Sequence, residues 1–219
     1  MAAEAGTSVL LAIDDHLPMA IPRLVGERVT LRPIEEADRA PLRSILAEPG
    51  VARWWGAAPD EAVADLFEPY QISFVIEVDG AVVGSLQVAE EDTLNYRHAG
   101  IDLFLAPDHQ GRGLGPEAIR LAARYLFEVR GHHRLTIDPA AENLRAIHAY
   151  ERVGFRPVGI MRQYERGRDG TWRDGLLMDL LVGELREPLA RASGPQGGDA
   201  LISREGGQAD LINPCSDSF

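Results

Sequence analysis

Alternating apolar and polar positions predict a series of short strands. VTLRPI alternates over residues 29–34, with Val29 and Leu31 on one face. ISFVIEV and AVVGSLQVAE are predicted to form a hairpin, because the Asp79-Gly80 pair between them suits a left-handed two-residue turn. Four more strands are predicted from the sequences AGIDLFLA, RLTID, GIMRQYER and DGLLMDLLV.

Helical spacing of apolar residues predicts four helices between these strands. The two strongest are PEAIRLAARYLFEVRG, which opens with Pro116, and AENLRAIHAYERVG, which stops at Gly154. The weaker two are EEADRAPLRSIL and DEAVADLFEPY. Because strands and helices alternate, we expect an α/β domain with a mixed sheet of six or seven strands.

The composition changes at both ends of the chain. Residues 1–22 are mixed and end near two prolines, so we interpret them as an N-terminal arm. Residues 188–219 are rich in Gly, Ser, Asp and Pro, which predicts a C-terminal tail with little structure. The folded domain is therefore expected over residues 23–187.

Composition excludes several chemistries. The 219 residues include 34 acidic and 22 basic residues, and every basic residue is arginine, so no lysine can form a Schiff base or bind phosphate in a nucleotide loop. Cys215 is the only cysteine, which excludes an internal disulfide and a multi-thiolate metal site. The six histidines lack metal-binding spacing, so no metal is predicted.

The charge of the chain is unevenly distributed. The net charge is -12, of which residues 1–96 carry -11 and residues 97–187 carry +1. Such acidity argues against a nucleic-acid partner, and no apolar run is long enough to span a membrane. We expect the acidic half to form the side of the site that attracts a polycation.

A glycine-rich loop carries the strongest chemical signal. Its alternating glycines let backbone N–H groups converge at a helix N-terminus, where a pyrophosphate would bind favourably. The loop consists of Gln110, Gly111, Arg112, Gly113, Leu114 and Gly115. Its G-x-G-x-G spacing differs from that of dinucleotide-binding folds.

A second motif lies on the last predicted helix. Asn143, Ile147 and Tyr150 are spaced to share one helix face. Taken alone, a polar pair on an otherwise apolar helix is better explained as two buried hydrogen-bonding residues than as a functional site.

Together the two motifs resemble the GNAT superfamily of acyl-CoA-dependent N-acetyltransferases, over roughly Arg28 to Val182. The resemblance implies a GNAT fold with a mostly antiparallel sheet and about four helices, and acetyl-CoA as co-substrate with no metal. It also implies that the loop binds the coenzyme pyrophosphate, that Asn143 contacts the coenzyme, and that Tyr150 protonates the leaving thiolate. The strand before the loop would pair with the pantetheine arm through Leu103, Phe104 and Leu105.

Four segments resemble one branch of that superfamily more closely, the aminoglycoside 6'-N-acetyltransferases: VARWWG, GID, TIDP and NLRAIHAYERVGF. This resemblance implies that Asp102 orients and deprotonates the acceptor amine and that Asp138 binds a further ammonium. Trp54 and Trp55 would form a wall of the acceptor pocket. The acidic run that contains Glu91 and Asp92 would contact the acceptor too. The segment RQYERGRDGTWRDG is longer than in that branch, which affects the rim of the pocket.

Three alternatives to an aminoglycoside acceptor remain open. GNAT enzymes that acetylate ribosomal proteins share an LRP segment, found here at Leu31-Arg32-Pro33, so a protein N-terminus or lysine is one. Another small amine is the second, and a non-catalytic acyl-CoA-binding module is the third. We expect a cytoplasmic monomer or homodimer acting on a polycationic small molecule.

Overall fold

In the computed structural model, which describes residues 21–188, eight strands form one sheet in the order β1-β2-β3-β4-β5-β6-β8-β7. The strands are β1 Leu24–Val25, β2 Thr30–Pro33, β3 Ile72–Val78, β4 Ala81–Glu91, β5 His98–Leu105, β6 Arg134–Ile137, β7 Arg156–Arg166 and β8 Trp172–Leu181. The helices are α1 Arg39–Ala47, α2 Pro49–Ala52, α3 Pro59–Asp65, α4 Leu114–Arg124 and α5 Leu144–Val153.

The predicted fold class is confirmed, with small differences in the count of elements. All neighbouring strands are antiparallel except β5 and β6. The sheet has one strand more than the upper prediction, the two-residue β1, and α2 is a helix that sequence periodicity did not predict. The predicted arm and tail lie outside the described residues, apart from Ile21, Pro22 and Pro188, so these boundaries stay predictions.

Both faces of the sheet are covered by helices. Side chains on one face of the strands, including Ile76, Val88 and Ile101, pack with α4 and α5 in the larger core. Side chains on the other face, including Val75 and Phe104, pack with α1 and α3 in a smaller core. This arrangement follows from the period of two along a strand, which sends neighbouring residues to opposite faces.

The strands β5 and β6 separate soon after they meet. They pair only through Ala99 with Leu135 and Gly100 with Thr136, whereas β5 continues to Leu105. On its other side β5 stays paired with β4 over its whole length. From Ile101 onward, the edge of β5 that faces β6 therefore has no strand partner within the described chain.

Gly84 of β4 fixes how closely the end of β5 approaches. A side chain at this position would place its Cβ 2.1 Å from the backbone carbonyl oxygen of Phe104, far below any real contact. A β-bulge interrupts the β3–β4 pairing beside it, between Ile76 and Glu77. Glycine is therefore required here for close backbone packing rather than for an unusual torsion angle.

The LRP segment has a structural role. The Arg32 guanidinium donates to both carboxylate oxygens of Asp38 at 2.7 Å and to Glu77 at 2.8 Å. Asp38 is only 3% exposed, and its hydrogen bonds with Arg32 hold its pKa below the usual value against the effect of burial. Asp38 also ends the short 3₁₀ turn before α1, which is why the predicted helix EEADRAPLRSIL becomes two elements.

No helix among residues 21–188 is both long and apolar enough to cross a membrane.

Candidate active site

A cleft of about 460 Å³ opens where β5 and β6 part. One end is formed by the glycine-rich loop and the start of α5, and the other by the segment 55–57 and the end of β7. The cleft therefore lies where the β5 edge, inside the sheet, has no strand partner among the described residues and is free to bind something other than protein.

The glycine-rich loop adopts the backbone expected of an anion site. Gly111 and Gly113 have φ angles of 74° and 82°, in the left-handed region that glycine adopts readily. The helix α4 starts at Leu114, two residues earlier than predicted, so the N–H groups of Leu114 and Gly115 lie in a first turn that has no intrahelical acceptors. These donors and the helix dipole favour an anionic group at this end of the cleft.

Side chains on both sides of the glycine-rich loop form hydrogen bonds that stabilise its position. Gln110 donates from Nε2 to the carbonyl oxygen of Leu105 at 2.6 Å, which ties the loop to the end of β5. Arg28 donates to the carbonyl oxygen of Arg112 at 2.9 Å and pairs with Glu117 at 2.8 Å. Arg145 and Arg152 line the same end of the cleft and add positive charge where a pyrophosphate would bind.

Asn143 and Tyr150 lie on the cleft side of α5. Asn143 is the N-cap of this helix, and its Oδ1 accepts the N–H of Ala146 at 3.3 Å. Tyr150 is 8% exposed and lines the cleft. Burial and the charges of Asp102 and Asp138 raise the pKa of Tyr150, so its hydroxyl stays protonated and able to donate.

Asp102 lies on β5 opposite Gln87 of β4 and is open to the cleft. Loss of solvation within the cleft raises the pKa of the Asp102 carboxyl to about 7, and the charges of Asp138 and Glu165 add to this effect. The N–H of Leu103 donates to the same carboxylate at 2.8 Å and acts in the opposite direction. A carboxyl that titrates near neutral pH is suited to accept a proton from a substrate.

Asp138 follows β6 directly and is held by Tyr164. The Tyr164 hydroxyl donates to Asp138 Oδ2 at 2.6 Å, and this hydrogen bond raises the pKa of Tyr164 to about 12. Both residues line the cleft at the end away from the glycine-rich loop. Tyr164 thus fixes the orientation of a carboxylate that faces the cleft.

The two tryptophans line different parts of the cleft: Trp55 lies at this end, whereas Trp54 lies near Gln110 and Asn143. The ring of Trp55 meets Phe104 of β5 edge-to-face, with 5.1 Å between centroids, and the Arg53 guanidinium lies 4.2 Å from the Trp54 ring. Glu165 of β7 accepts the N–H of Gly56 at 3.0 Å, and burial raises its pKa above the usual value.

Most of the residues predicted for the site line the cleft. They are Trp54, Trp55, Asp102, Leu103, Phe104, Leu105, Gln110, Gly111, Gly113, Gly115, Asp138, Asn143 and Tyr150. Arg112 and Leu114 do not line the cleft. The Leu114 side chain is buried in the larger core instead.

The acidic run at the end of β4 is not brought to the cleft. Glu91 accepts the N–H of Thr93 at 2.8 Å, and Asp92 lies 3.7 Å from Arg97. Their neighbour Glu90 is bound by Arg130 at 2.5 Å and His132 at 2.6 Å. Although burial opposes it, the hydrogen bonds from His132 and Arg130 lower the pKa of Glu90 to about 2.

Within the described residues, the acidic side chains of the N-terminal half do not line the cleft, so contacts in the cleft do not supply the attraction of a polycation that was expected from that half. The three carboxylates that line the cleft are Asp102, Asp138 and Glu165, all in the half with net charge near zero. Acidic residues before position 97 are largely engaged elsewhere: Asp60 pairs with Arg43, and Glu77 with Arg23 and Arg32. Net charge along the sequence cannot distinguish a paired surface carboxylate from an unpaired one in a cleft.

Sequence reasoning missed five polar residues that line the cleft: Gln87, Arg145, Arg152, Tyr164 and Glu165. Gln87 could have been found as the cross-strand neighbour of Asp102, had the β4–β5 register been known. Tyr164 and Glu165 lie in the segment that is longer than in the resembling branch. Among residues 21–188, no group of three or more His, Cys, Asp or Glu is arranged to hold a metal ion.

Comparison with known proteins identifies the class to which this fold and cleft belong. Residues 28–156 match the family model of the acetyltransferase (GNAT) domain. This match covers more than half of the 219 residues, and the chain belongs to the GNAT family of acetyltransferases.

Its relatives differ in the amines they are named for. The chain is 30% identical over 158 residues to spermidine N(1)-acetyltransferase of Escherichia coli K12, covering 68% of this chain and 84% of the relative. It is 33% identical over 159 residues to aminoglycoside N(6')-acetyltransferase type 1 of Klebsiella pneumoniae, covering 62% and 78%. Among solved structures, Mycobacterium smegmatis RimJ in complex with CoA-disulfide superposes with a TM-score of 0.63 at 27% identity, covering 73% and 84%.

Proposed function

We propose that this chain transfers an acetyl group from acetyl-CoA to an amine of a small polycationic acceptor, with the 6'-amino group of an aminoglycoside as the first candidate. The observation that carries the proposal is the set of three cleft carboxylates, Asp102, Asp138 and Glu165, at the end opposite the glycine-rich loop. None of the three forms an ion pair with a cation of the described chain. Carboxylates left unpaired in a cleft favour a positively charged ligand.

The two ends of the cleft suit the two substrates. The N–H groups at the start of α4, with Arg145 and Arg152, fit the pyrophosphate of acetyl-CoA, and the free edge of β5 fits its amide-containing arm. Acetyl-CoA would supply an acetyl group activated as a thioester. Holding the thioester and the amine together would itself account for several kcal/mol of the barrier, up to about 7–11 in favourable cases.

Asp102 and Tyr150 fit the two proton transfers. The ionised Asp102 would take a proton from the acceptor ammonium, leaving a neutral amine that attacks the thioester carbonyl carbon. As the carbon–sulfur bond breaks, Tyr150 would donate its hydroxyl proton to the leaving thiolate, and the new amide nitrogen loses its extra proton to solvent. Each such positioned acid or base contributes about 10²–10⁴ in rate. No covalent enzyme intermediate is required, so the scheme uses no nucleophilic side chain.

A polyamine is the second candidate acceptor. The similarity to a spermidine acetyltransferase extends over 84% of that relative, and a linear polyamine carries several ammonium groups that three carboxylates could bind. The aromatic wall of Trp54 and Trp55 favours an aminoglycoside instead, because a flat ring surface packs well against a sugar ring.

Thiol release distinguishes these possibilities. The purified full chain is incubated with acetyl-CoA and, in separate reactions, with kanamycin, spermidine, or a peptide that has a free N-terminus and a lysine. Release with kanamycin and a mono-acetylated 6' product, located by mass spectrometry and NMR, would support the first candidate. Release with spermidine alone would favour the second. Release with the peptide alone would contradict a small polycationic acceptor, and coenzyme binding without any turnover would point to a non-catalytic module.

A further inference from the structure

An irregularity in β7 brings two adjacent side chains to the cleft. Met161 pairs with Gly175 and Glu165 with Arg173, so five residues of β7, 161–165, lie opposite only three residues of β8, 173–175. At the centre of this bulge Gln163 has a φ of 49°, and its N–H donates to Asp174 at 2.8 Å. In a regular strand Tyr164 and Glu165 would point to opposite faces, yet both line the cleft.

The same β-hairpin holds the backbone of the tryptophan segment. Glu165 accepts the N–H of Gly56 at 3.0 Å, Arg168 donates to the carbonyl oxygen of Ala57 at 2.7 Å, and Arg173 donates to that of Arg53 at 3.0 Å. All three contacts are made to main-chain groups between residues 53 and 57. The position of the Trp54–Trp55 wall is therefore set by the hairpin.

Glu165 has hydrogen-bonding capacity left over. The only hydrogen bond that it accepts within residues 21–188 comes from Gly56, and no Arg or His of these residues lies within ion-pair distance of its carboxylate. Its side chain is partly buried, the nearby charge of Asp138 repels its own, and the charge of Arg173 attracts it without forming an ion pair. A half-buried carboxylate with one engaged oxygen and no ion-pair partner would be stabilised by a cationic ligand in contact with it.

We propose that Glu165 determines acceptor specificity: one carboxylate oxygen fixes the tryptophan segment, and the other binds a second ammonium group of the acceptor, distant from the reacting amine. This inference rests on the proposed function, since it concerns the same cleft. It predicts a preference for acceptors with at least two ammonium groups. Asp102 accepts a proton from the reacting amine, whereas Glu165 binds an ammonium group elsewhere on the acceptor.

The substitution Glu165→Gln separates the two roles. Glutamine keeps an oxygen that can accept the Gly56 N–H but lacks the charge, so the tryptophan segment should stay in place. We expect the KM for spermidine or kanamycin to rise about tenfold, with kcat changed less than about twofold. The KM for a primary monoamine such as butylamine should be unchanged. Glu128→Gln is the matched control, because Glu128 is exposed and does not line the cleft.

Two outcomes would overturn the inference. Equal changes in KM for the monoamine and the polyamines, or no change for either, would show that Glu165 does not bind a second cation. Binding of spermidine, followed by the fluorescence of the cleft tryptophans, gives a readout that does not need turnover. If wild-type protein binds spermidine but acetylates no amine, the proposed function fails, and equal affinity in Glu165→Gln would then still reject the inference.

Discussion

Asp102 makes the activity dependent on pH. Its pKa of about 7 means that the carboxyl is mostly protonated at pH 6 and mostly ionised at pH 8. Because only the ionised form accepts a proton from the acceptor, we expect kcat/KM to rise through pH 7 and then to level off. Asp102→Asn should remove this rise and lower kcat by about 10²-fold or more. A pH–rate profile that kept its limb near pH 7 in the variant would assign the limb to another group.

The same pKa predicts a stability effect of opposite sense. The folded pKa of Asp102 lies above its usual value of 3.8, so its contribution to stability is present below about pH 4 and is lost as pH rises through 7. Asparagine does not titrate. The free energy of unfolding of Asp102→Asn minus that of the wild type should therefore increase between pH 4 and 7 and stay constant above pH 7. Urea unfolding at four pH values would measure this, and a constant difference throughout would contradict it.

Tyr150 is expected to affect chemistry and not coenzyme binding. Tyr150→Phe removes the hydroxyl proton while keeping the ring that packs near Phe155. We expect kcat to fall about 10²–10⁴-fold with little change in the dissociation constant for coenzyme A. Tyr96→Phe is the control, because Tyr96 is 74% exposed and does not line the cleft. An unchanged kcat in Tyr150→Phe would mean that the thiolate leaves unprotonated or is protonated by water.

At the scale of elements, the contact between the tryptophan segment and β7 depends on Gly56. A Cβ on Gly56 would lie 2.7 Å from a Glu165 oxygen and 3.0 Å from the Arg166 carbonyl oxygen, so Gly56→Ala must shift the Glu165 carboxylate, the segment or both. We expect the acceptor KM to rise about tenfold, while the coenzyme KM at the opposite end of the cleft stays constant. Gly159→Ala on the same strand has no atoms within 4 Å of the new Cβ and should change neither constant. Parallel changes in both constants after Gly56→Ala would indicate general destabilisation instead.

The sequence predicts those elements whose signals are local. The Asp79-Gly80 turn is confirmed: both residues have left-handed φ angles, and Val78 pairs with Ala81 across it. The end of α5 at Gly154 is confirmed in the same way, since that signal depends on a few neighbouring residues. The bulge at Gln163 has no such signal, because it arises from β8 pairing out of step. Tyr164 and Glu165 were missed for this reason: their direction depends on register with another strand.

At the scale of the whole molecule, the place where a cation is attracted depends more on which carboxylates are paired with arginine than on the net charge. Of the net -12, most lies before residue 97, yet the carboxylates that face the cleft come from positions 102, 138 and 165. Arginines neutralise many of the remaining acids, as Arg32 does for Asp38 and Glu77. Attraction of a polycation is therefore expected to be short-ranged and centred on the cleft, with a smaller long-range contribution from the surface.

Salt dependence separates these two contributions. Screening acts over about 10 Å at 0.1 M salt, so the charges nearest the bound acceptor, those of the cleft, should set most of the slope of kcat/KM against salt between about 10 and 300 mM, and distant surface charges should set little of it. We expect kcat/KM for spermidine or kanamycin to fall several-fold over this range and that for a monoamine to fall much less. Glu165→Gln should reduce the slope for the polycations, whereas the surface pair Glu27→Gln and Glu68→Gln, both exposed and outside the cleft, should leave it nearly unchanged. If the surface pair flattens the slope as much as Glu165→Gln does, the long-range field of the whole molecule governs capture of the acceptor. If only Glu165→Gln does so, capture depends on the carboxylates that β5, β6 and β7 bring together.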